Sequence, residues 1–494
     1  KEVGFSTGGA LGRKDWIEFN RLRVKGWIDD VEAVARRNNP RNLPITTNVA
    51  TTAPYAWGFQ HSYPSLFDQN RDMDIAGFSA YTAYAEMEEI PWLSSMGFAM
   101  ARSSSVKPGS FWALESAAGQ ISYLEKHKAR ATKEWRNLVN YQLLAQGAKA
   151  VMFWKFGGRV DSQTDEYNLC GFDGSITERA ELFGKFNAFC QAHSQLLLDC
   201  TVQSKAAILY PTHTEYIAIA EKVVDPFFDS AHGAYRILHD LNIPCDFIDD
   251  EWCRRGRLSQ YKLLLVPYAK YMSKEEAGFV SKFIEDGGTV IADRWFGYKD
   301  DFCVQFQRVP GHGLQEYTGA YLNDVEFADC PECIRTKVGE LLLDVSDEFH
   351  SHLLLTSGEA LADFDGGHCA VSLKKHSSGG ALMFWGVELF QLCRKKKDIG
   401  GVLSFISKFL ASQGIESPSK VEGVKPGTIE IAPLYGKNGK RIYVITNMIF
   451  EPVKGTFIFA DEAQLVQLSG DRKYCGTPVE WELKPFEAFV MARS

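Results

Sequence analysis

The chain has 494 residues, 45% hydrophobic and 23% charged, with a formal net charge of −8 at pH 7. That length suggests roughly two to four domains, and the composition is that of an ordinary globular protein able to bury several cores. The negative charge argues against nucleic acid or an anionic membrane as partner, and no apolar run approaches the roughly 20 residues needed to span a bilayer.

There are 11 cysteines, scattered singly in apolar settings such as Phe189-Cys190 and His368-Cys369. They suit buried thiols in a reducing compartment, the cytoplasm, better than a disulfide framework. The close pair Cys330-x-x-Cys333 has no second pair and no suitably spaced histidines, so neither a metal nor another cofactor is expected. Lys1-Glu2-Val3-Gly4 does not read as a signal peptide.

In chain order, residues 16–37 form a predicted helix whose apolar positions Trp16, Phe19, Leu22, Val24, Trp27, Ile28, Val31 and Val34 make a broad stripe. Asn38-Asn39-Pro40 stops it. Residues 43–48 read as a buried strand ending on Asn48, followed by a loop rich in Tyr and Trp. Residues 74–79 are the next strand, ending near Tyr81, and a helix lies around 92–102. Pro108-Gly109 opens a turn, after which Phe111-Trp112-Ala113-Leu114 runs into one acid, Glu115. A helix over 132–146, a strand over 148–154 and a helix from 178 to about 198 close the region.

This β-α alternation without hairpin signals predicts a parallel sheet covered by helices. In a barrel of that type the chemistry sits at the C-terminal strand ends, which here supply Asn48, Tyr81, Glu115 and Trp154. Amides and carboxylates grip hydroxyls, and an indole face stacks on a sugar ring. Taken singly, Glu115 is equally a solvated strand end, Asn48 a turn residue and Trp154 a core residue. Together they occupy four successive strand ends.

The order of motifs resembles the second half of the catalytic barrel of glycoside hydrolase family 42, the β-galactosidases. The family's PVTTN strand is matched by Pro44-Ile45-Thr46-Thr47-Asn48, and its DVVS-x-D-x-Y strand loosely by Asp74 to Tyr81. Its nucleophile strand is matched by Phe111-Trp112-Ala113-Leu114-Glu115, and its GA-x-G-V-x-Y-F-x-W strand by Gly147 to Trp154. A loop glutamate and a DG-x-x-x-R turn are matched by Glu166 and by Asp173-Gly174 through Arg179. The resemblance implies a partial (β/α)8 barrel, strands 5–8, over residues 1–200. It makes Glu115 the nucleophile and Asn48, Tyr81, Trp112, Trp154 and Glu166 substrate contacts. The family's Asn-Glu strand end, which carries the general acid/base, has no match. Either the chain is the C-terminal piece of a longer or nicked enzyme, the rest being a separate chain, or it is a truncated, inactive relative, or Glu86, Glu88 or Glu89 serves as the acid.

Residues 201–416 again alternate strands and helices, with strands at 206–210, 245–248, 262–267 and 287–292, in the manner of an open doubly wound sheet. This part resembles the family's amidotransferase-like trimerisation domain, which implies a homotrimer. A working amidotransferase needs a Cys on a strand–helix elbow, and Leu263 to Tyr268 offers none. Gly379-Gly380 reads as a hairpin turn. His350-x-His352 puts two imidazoles on one side of a strand, read here as solvated or core histidines. From Gly427 the periodicity falls to two, predicting a small antiparallel β-sandwich over 417–494. Two functions follow: a retaining exo-glycosidase of β-galactosidase type acting on glycosides or oligosaccharides, or a degenerate sugar-binding or scaffold relative.

Overall fold

The computed structural model describes residues 9–48, 66–80, 90–106, 111–119, 133–157, 168–336, 341–460 and 462–493. The chain divides into two compact units. One contains the segment ending at Asn20 together with Ser204–Glu416, the other Arg21–Gln203 together with Ser417–Ser494.

In the second of these units, β1 (Ala76–Ala80), β2 (Phe111–Ser116) and β3 (Ala150–Val151) form a parallel sheet in that order. Alternation sends Ala76, Phe78, Ala80, Phe111 and Ala113 toward the helices Ile90–Ser104 and Lys133–Ala145, where they pack with Phe98, Trp135, Val139 and Leu143. Each large side chain buried there contributes roughly 1.5–3 kcal/mol. The predicted strand over 43–48 is reduced to one parallel bridge, Thr46 to Ile75. Its ladder groups are engaged elsewhere: Asn39 exchanges two hydrogen bonds with the Leu43 backbone, Pro44 has no N–H, and the Ile45 N–H donates to the Asp74 carboxylate. The strand over 148–154 is likewise short, with Trp154 joined to β2 only by a bridge to Ala117. The helix from residue 178 is two helices, Glu178–Ala192 and Ser194–Asp199, and the first helix begins earlier, at Gly9–Arg37.

The other unit is built on a nine-stranded sheet. In chain order the strands of the whole unit are β4 (Ala206–Leu209), β5 (Cys245–Ile248), β6 (Leu263–Val266), β7 (Thr289–Ala292), β8 (Ala320–Leu322), β9 (Glu326–Phe327), β10 (Cys333–Arg335), β11 (Leu342–Asp344), β12 (Phe349–His350), β13 (Leu353–Leu355), β14 (Glu359–Phe364), β15 (Cys369–Lys375) and β16 (Ala381–Trp385). The sheet order is β11-β10-β14-β15-β16-β7-β6-β4-β5. Strands β16 through β5 are parallel and, apart from Thr289 in β7 and the half-buried Asp246 in the edge strand β5, apolar, as strands buried on both faces must be. The other four extend the sheet antiparallel, so it is mixed rather than wholly of the open parallel kind. Gly379, at φ +89°, closes the β15–β16 hairpin as expected. The strands β8 and β13, and β9 and β12, make two short ribbons. At the end of β6 the residue in the left-handed conformation is Tyr268, not a cysteine.

The last eighty residues fold as β17 (Ser419–Glu422), β18 (Ile429–Tyr435), β19 (Arg441–Asn447), β20 (Val453–Phe459), β21 (Leu465–Gln467), β22 (Lys473–Tyr474), β23 (Val479–Leu483) and β24 (Ala488–Arg493). A three-stranded sheet, β17-β20-β23, faces a five-stranded one, β18-β19-β24-β21-β22, across a core that includes Ile431, Tyr443, Phe457, Phe459 and Trp481. The outer face of the larger sheet, through Leu434, Ile442, Val444 and Val490, packs on Leu144, Phe186 and Leu197. None of the 11 cysteines is disulfide-bonded, and among the described residues no helix is long and apolar enough to cross a membrane.

Asp293 follows β7 and is fully buried; burial, reinforced by the Glu388 charge, pushes its carboxyl up to about 8. An unfolded Asp titrates near 3.9. Between those values the folded chain binds the extra proton, so this group makes stability fall as pH rises from about 4 to 8. Asp293→Asn removes the titration and keeps an acceptor for the Trp295 N–H. In urea unfolding at pH 5 and pH 8, the variant should lose less stability on going to pH 8 than the unaltered chain does. Equal losses would show that Asp293 does not titrate this way.

Candidate active site

The site is set by a register shift. β1 and β2 pair Ala76 with Phe111, Gly77 with Trp112 and Phe78 with Ala113, but the next pair is Ser79 with Glu115, so Leu114 is an extra residue on β2. Such a bulge changes the parity of everything after it. Without it, Glu115 would follow Phe111 and Ala113 toward the helices. With it, Glu115 shares the opposite face with Ser79, and Ser116 takes the buried place.

Two further features complete the arrangement. A Cβ on Gly77 would lie 2.2 Å from the Thr47 carbonyl oxygen and 2.5 Å from Leu114 Cδ1, so only glycine lets the Thr46–Asn48 segment approach β1 this closely. Asn48 Nδ2 then donates to Glu115 Oε1 at 2.7 Å, while Ser79 Oγ donates to Asn48 Oδ1 at 3.0 Å. The serine thus fixes which way the amide points, and the amide holds the carboxylate. Asn48 is exposed and Glu115 half-buried, so the pair opens to solvent.

Trp154 stands beside the end of β2. Its N–H donates to the Ser116 carbonyl at 2.9 Å, its carbonyl accepts from the Ala118 N–H at 3.2 Å, and its side chain is half-exposed. The Trp154–Lys155 peptide is cis. Trp112 lies lower in the wall, paired with Gly77 and Ala150 on the face turned away from the helices, and is partly exposed. The structure therefore gathers Asn48 and Glu115 in contact, with Trp154 at the neighbouring strand end. Tyr81, Glu166, Glu86, Glu88 and Glu89 lie outside the described residues. The Asp173-Gly174 turn is present, and hydrogen bonds from the Ser175 hydroxyl and then the Ser175 N–H hold the Asp173 carboxyl below the usual range.

Sequence reasoning missed two residues. Ser79 is a small hydroxyl within a strand and carries no signal of its own. Arg136 is fully buried, donates to Ser116 Oγ at 3.1 Å and lies 4.8 Å over the Trp135 ring; burial, with the nearby Arg179 charge, pushes its pKa down to about 9. Its signal was a cation inside the apolar stripe Trp135, Leu138 and Val139.

The fold and the site define an α/β protein whose carboxylate stands at the C-terminal ends of parallel strands, among an amide and an indole. The glycoside hydrolase family 42 profile described as β-galactosidase matches residues 10–179, and a β-galactosidase trimerisation domain profile matches 204–395. The chain belongs to glycoside hydrolase family 42. It is similar to β-galactosidase BgaP of Planococcus sp. strain L4, at 23% identity over 63% of this chain and 44% of that one. It is also similar to β-galactosidase LacZ of Heyndrickxia coagulans, at 25% identity over 72% of this chain and 52% of the relative. The chain thus spans about half the length of these curated relatives. The solved β-galactosidase from Bacillus circulans sp. alkalophilus superposes with a TM-score of 0.80 at 18% identity, over 97% of this chain and 68% of that one. Gan42B from G. stearothermophilus gives 0.80 at 17% identity, over 100% and 69%. These matches establish an α/β fold with a barrel domain and β domains.

Gly77→Ala should therefore destabilise the chain by about 1–3 kcal/mol through overpacking against backbone, whereas Ser79→Ala should cost only about 1 kcal/mol for one lost hydrogen bond. Chemical denaturation of both variants checks this. A fully stable Gly77→Ala would mean that the 46–48 segment is not held against β1.

Proposed function

We propose that this chain carries the attacking part of a retaining exo-glycosidase of β-galactosidase type, with Glu115 as nucleophile. The observation that carries the reading is the Ser79–Asn48–Glu115 chain of hydrogen bonds, which orients one carboxylate at an open strand end. In this scheme a Glu115 oxygen attacks the anomeric carbon of a terminal β-linked sugar. A second carboxyl, about 5–5.5 Å from the first, protonates the departing glycosidic oxygen, and water then hydrolyses the glycosyl-enzyme. Trp154 and Trp112 offer faces for a sugar ring, with Tyr81 and Glu166 as further contacts.

The second carboxyl belongs either to the Glu86, Glu88 and Glu89 stretch or to βα units that the longer relatives have room for. Surface chemistry favours the second source. Trp27, Val31 and Val34, spaced i, i+4 and i+7 on one helix, are exposed, as are Phe156, Phe172 and Ile176. In this reading residues 1–200 contribute the last four strands of an eight-stranded barrel, and the missing units, on the same or a separate chain, cover that apolar surface. Residues 201–416 act as the trimerisation domain, as the matching profile's description supports, and 417–494 as the β-sandwich.

With an aryl β-galactoside as substrate, Glu115→Gln should reduce turnover to background while leaving the circular dichroism spectrum and the melting temperature close to those of the unaltered chain. Glu115→Gly should regain turnover on adding azide, because a small anion can occupy the vacated space and attack. Near-normal turnover by Glu115→Gln sinks the reading. The rival, a degenerate sugar-binding relative, is favoured if the unaltered protein, assayed together with the βα units that supply the second carboxyl, binds galactosides without hydrolysing them. Light scattering at micromolar concentration should give a trimer's mass.

A further inference from the structure

We propose that His350, His352 and Glu326 form a binding site for a divalent transition-metal ion of the zinc class. The site belongs to the unit built on the nine-stranded sheet and shares no residue with the Glu115 site. His350 and His352 are two apart in sequence and so point to one side of the chain. In the ribbon, β12 pairs His350 with Glu326, placing the carboxylate directly across from the first imidazole. A bulge recruits the second. The adjoining ribbon pairs Leu353 with Leu322, so residues 323–325 on one strand oppose only residues 351 and 352 on the other. The extra residue swings the strand so that Glu326 Oε1 also lies 3.3 Å from His352 Nδ1. One donor atom from each of the three residues falls within 4.8 Å of the others.

Burial argues that this cluster is more than an ion pair. His350 is only 4% exposed, and its Nδ1 is buried without a hydrogen-bond partner. Leaving such a nitrogen unanswered costs about 1–3 kcal/mol, and a cation in the cluster gives the imidazole something to bind. The His352 ring is fixed from outside by His368, stacked at 4.2 Å and 19°. Glu326 is exposed, which leaves a path for the ion and a position for water. Two imidazoles and one carboxylate select zinc, cobalt, nickel or copper over calcium or magnesium. Tetrahedral bonds of about 2.05 Å place donors about 3.3 Å apart, so rotation of the exposed Glu326 and of the half-buried His352 side chain closes the cluster from its separation of up to 4.8 Å.

The test is titration of the chelator-treated 494-residue chain with Co²⁺, followed by visible absorption, with Zn²⁺ and Ca²⁺ as competitors. One Co²⁺ should bind per chain and be displaced by Zn²⁺ but not by Ca²⁺. His352→Asn and Glu326→Gln, neither at a fully buried position, should each weaken binding at least 10-fold with an unchanged circular dichroism spectrum. A Cys330→Ser, Cys333→Ser double variant should bind as the unaltered chain does. The proposal is overturned if no Co²⁺ binds at 100 µM, a concentration on the order of a weak metal site's dissociation constant. It is equally overturned if binding survives both the His352 and the Glu326 substitutions, or if it disappears in the cysteine variant.

Discussion

A charged side chain in a parallel strand faces a geometric difficulty. Alternate positions are committed to the layer under the helices, and in β2 that layer is occupied by Phe111 and Ala113 against Phe98 and Trp135. A carboxylate continuing that row would be buried without water, at a cost of several kcal/mol. The extra residue at Leu114 resolves this by changing parity within one step. Ser116 goes inward instead, and its small hydroxyl is met by Arg136. Gly77 and Asn48 belong to the same device. The glycine admits the neighbouring segment, and the asparagine on that segment reaches the carboxylate that the bulge has turned outward.

What the sequence reveals of this follows from range. The helix-facing rows, the parallel order of the strands and the acid ending an apolar run are local patterns, and they could be read directly. The bulge could not, because nothing in Ala113-Leu114-Glu115 distinguishes a bulged strand from a regular one; it exists only as a pairing between chains of contacts 36 residues apart, Ser79 with Glu115. The same holds for Ser79 and for Glu326. His350-x-His352 was visible as a same-side pair, but the carboxylate across from it depends on the register of a distant strand. The strand over 43–48 misled for the opposite reason. Its β-branched residues favour extension, yet side chains of Asn39 and Asp74 capture the backbone groups that a ladder would use.

The β-sandwich is not an appendage to the βα region. Its larger sheet replaces solvent on the far side of the helix Lys133–Ala145, and a few buried polar groups set its position there. The Glu430 carboxylate, buried, accepts from Ser95 Oγ and from Gln146 Nε2 at 3.4 Å. Lys440 Nζ, on the sandwich, donates to the Asp199 carboxylate at 2.6 Å. A short bridge between Thr201 and Tyr435 continues the contact. Apolar area supplies the attraction, and the buried polar groups make one docking orientation better than its neighbours, since any slip would leave them unpaired.

The opposite face of β1–β3 is where the proposed assembly follows from physics rather than from analogy. A parallel sheet is ordinarily covered on both faces. Here Trp112 and Leu114 point away from the helices and stay partly exposed, and among the described residues β3 has no partner beyond β2. An unpaired parallel edge and an uncovered inner face are aggregation hazards. Closing the sheet on itself removes both hazards with one structural change, because the first and last strands pair and the inner side chains fill the centre. The exposed row Trp27, Val31 and Val34 then becomes a helix flank seated against further helices. On this account the uncovered sheet face, the apolar flank and the second carboxyl that the proposed nucleophile Glu115 requires are all answered by the same additional βα units.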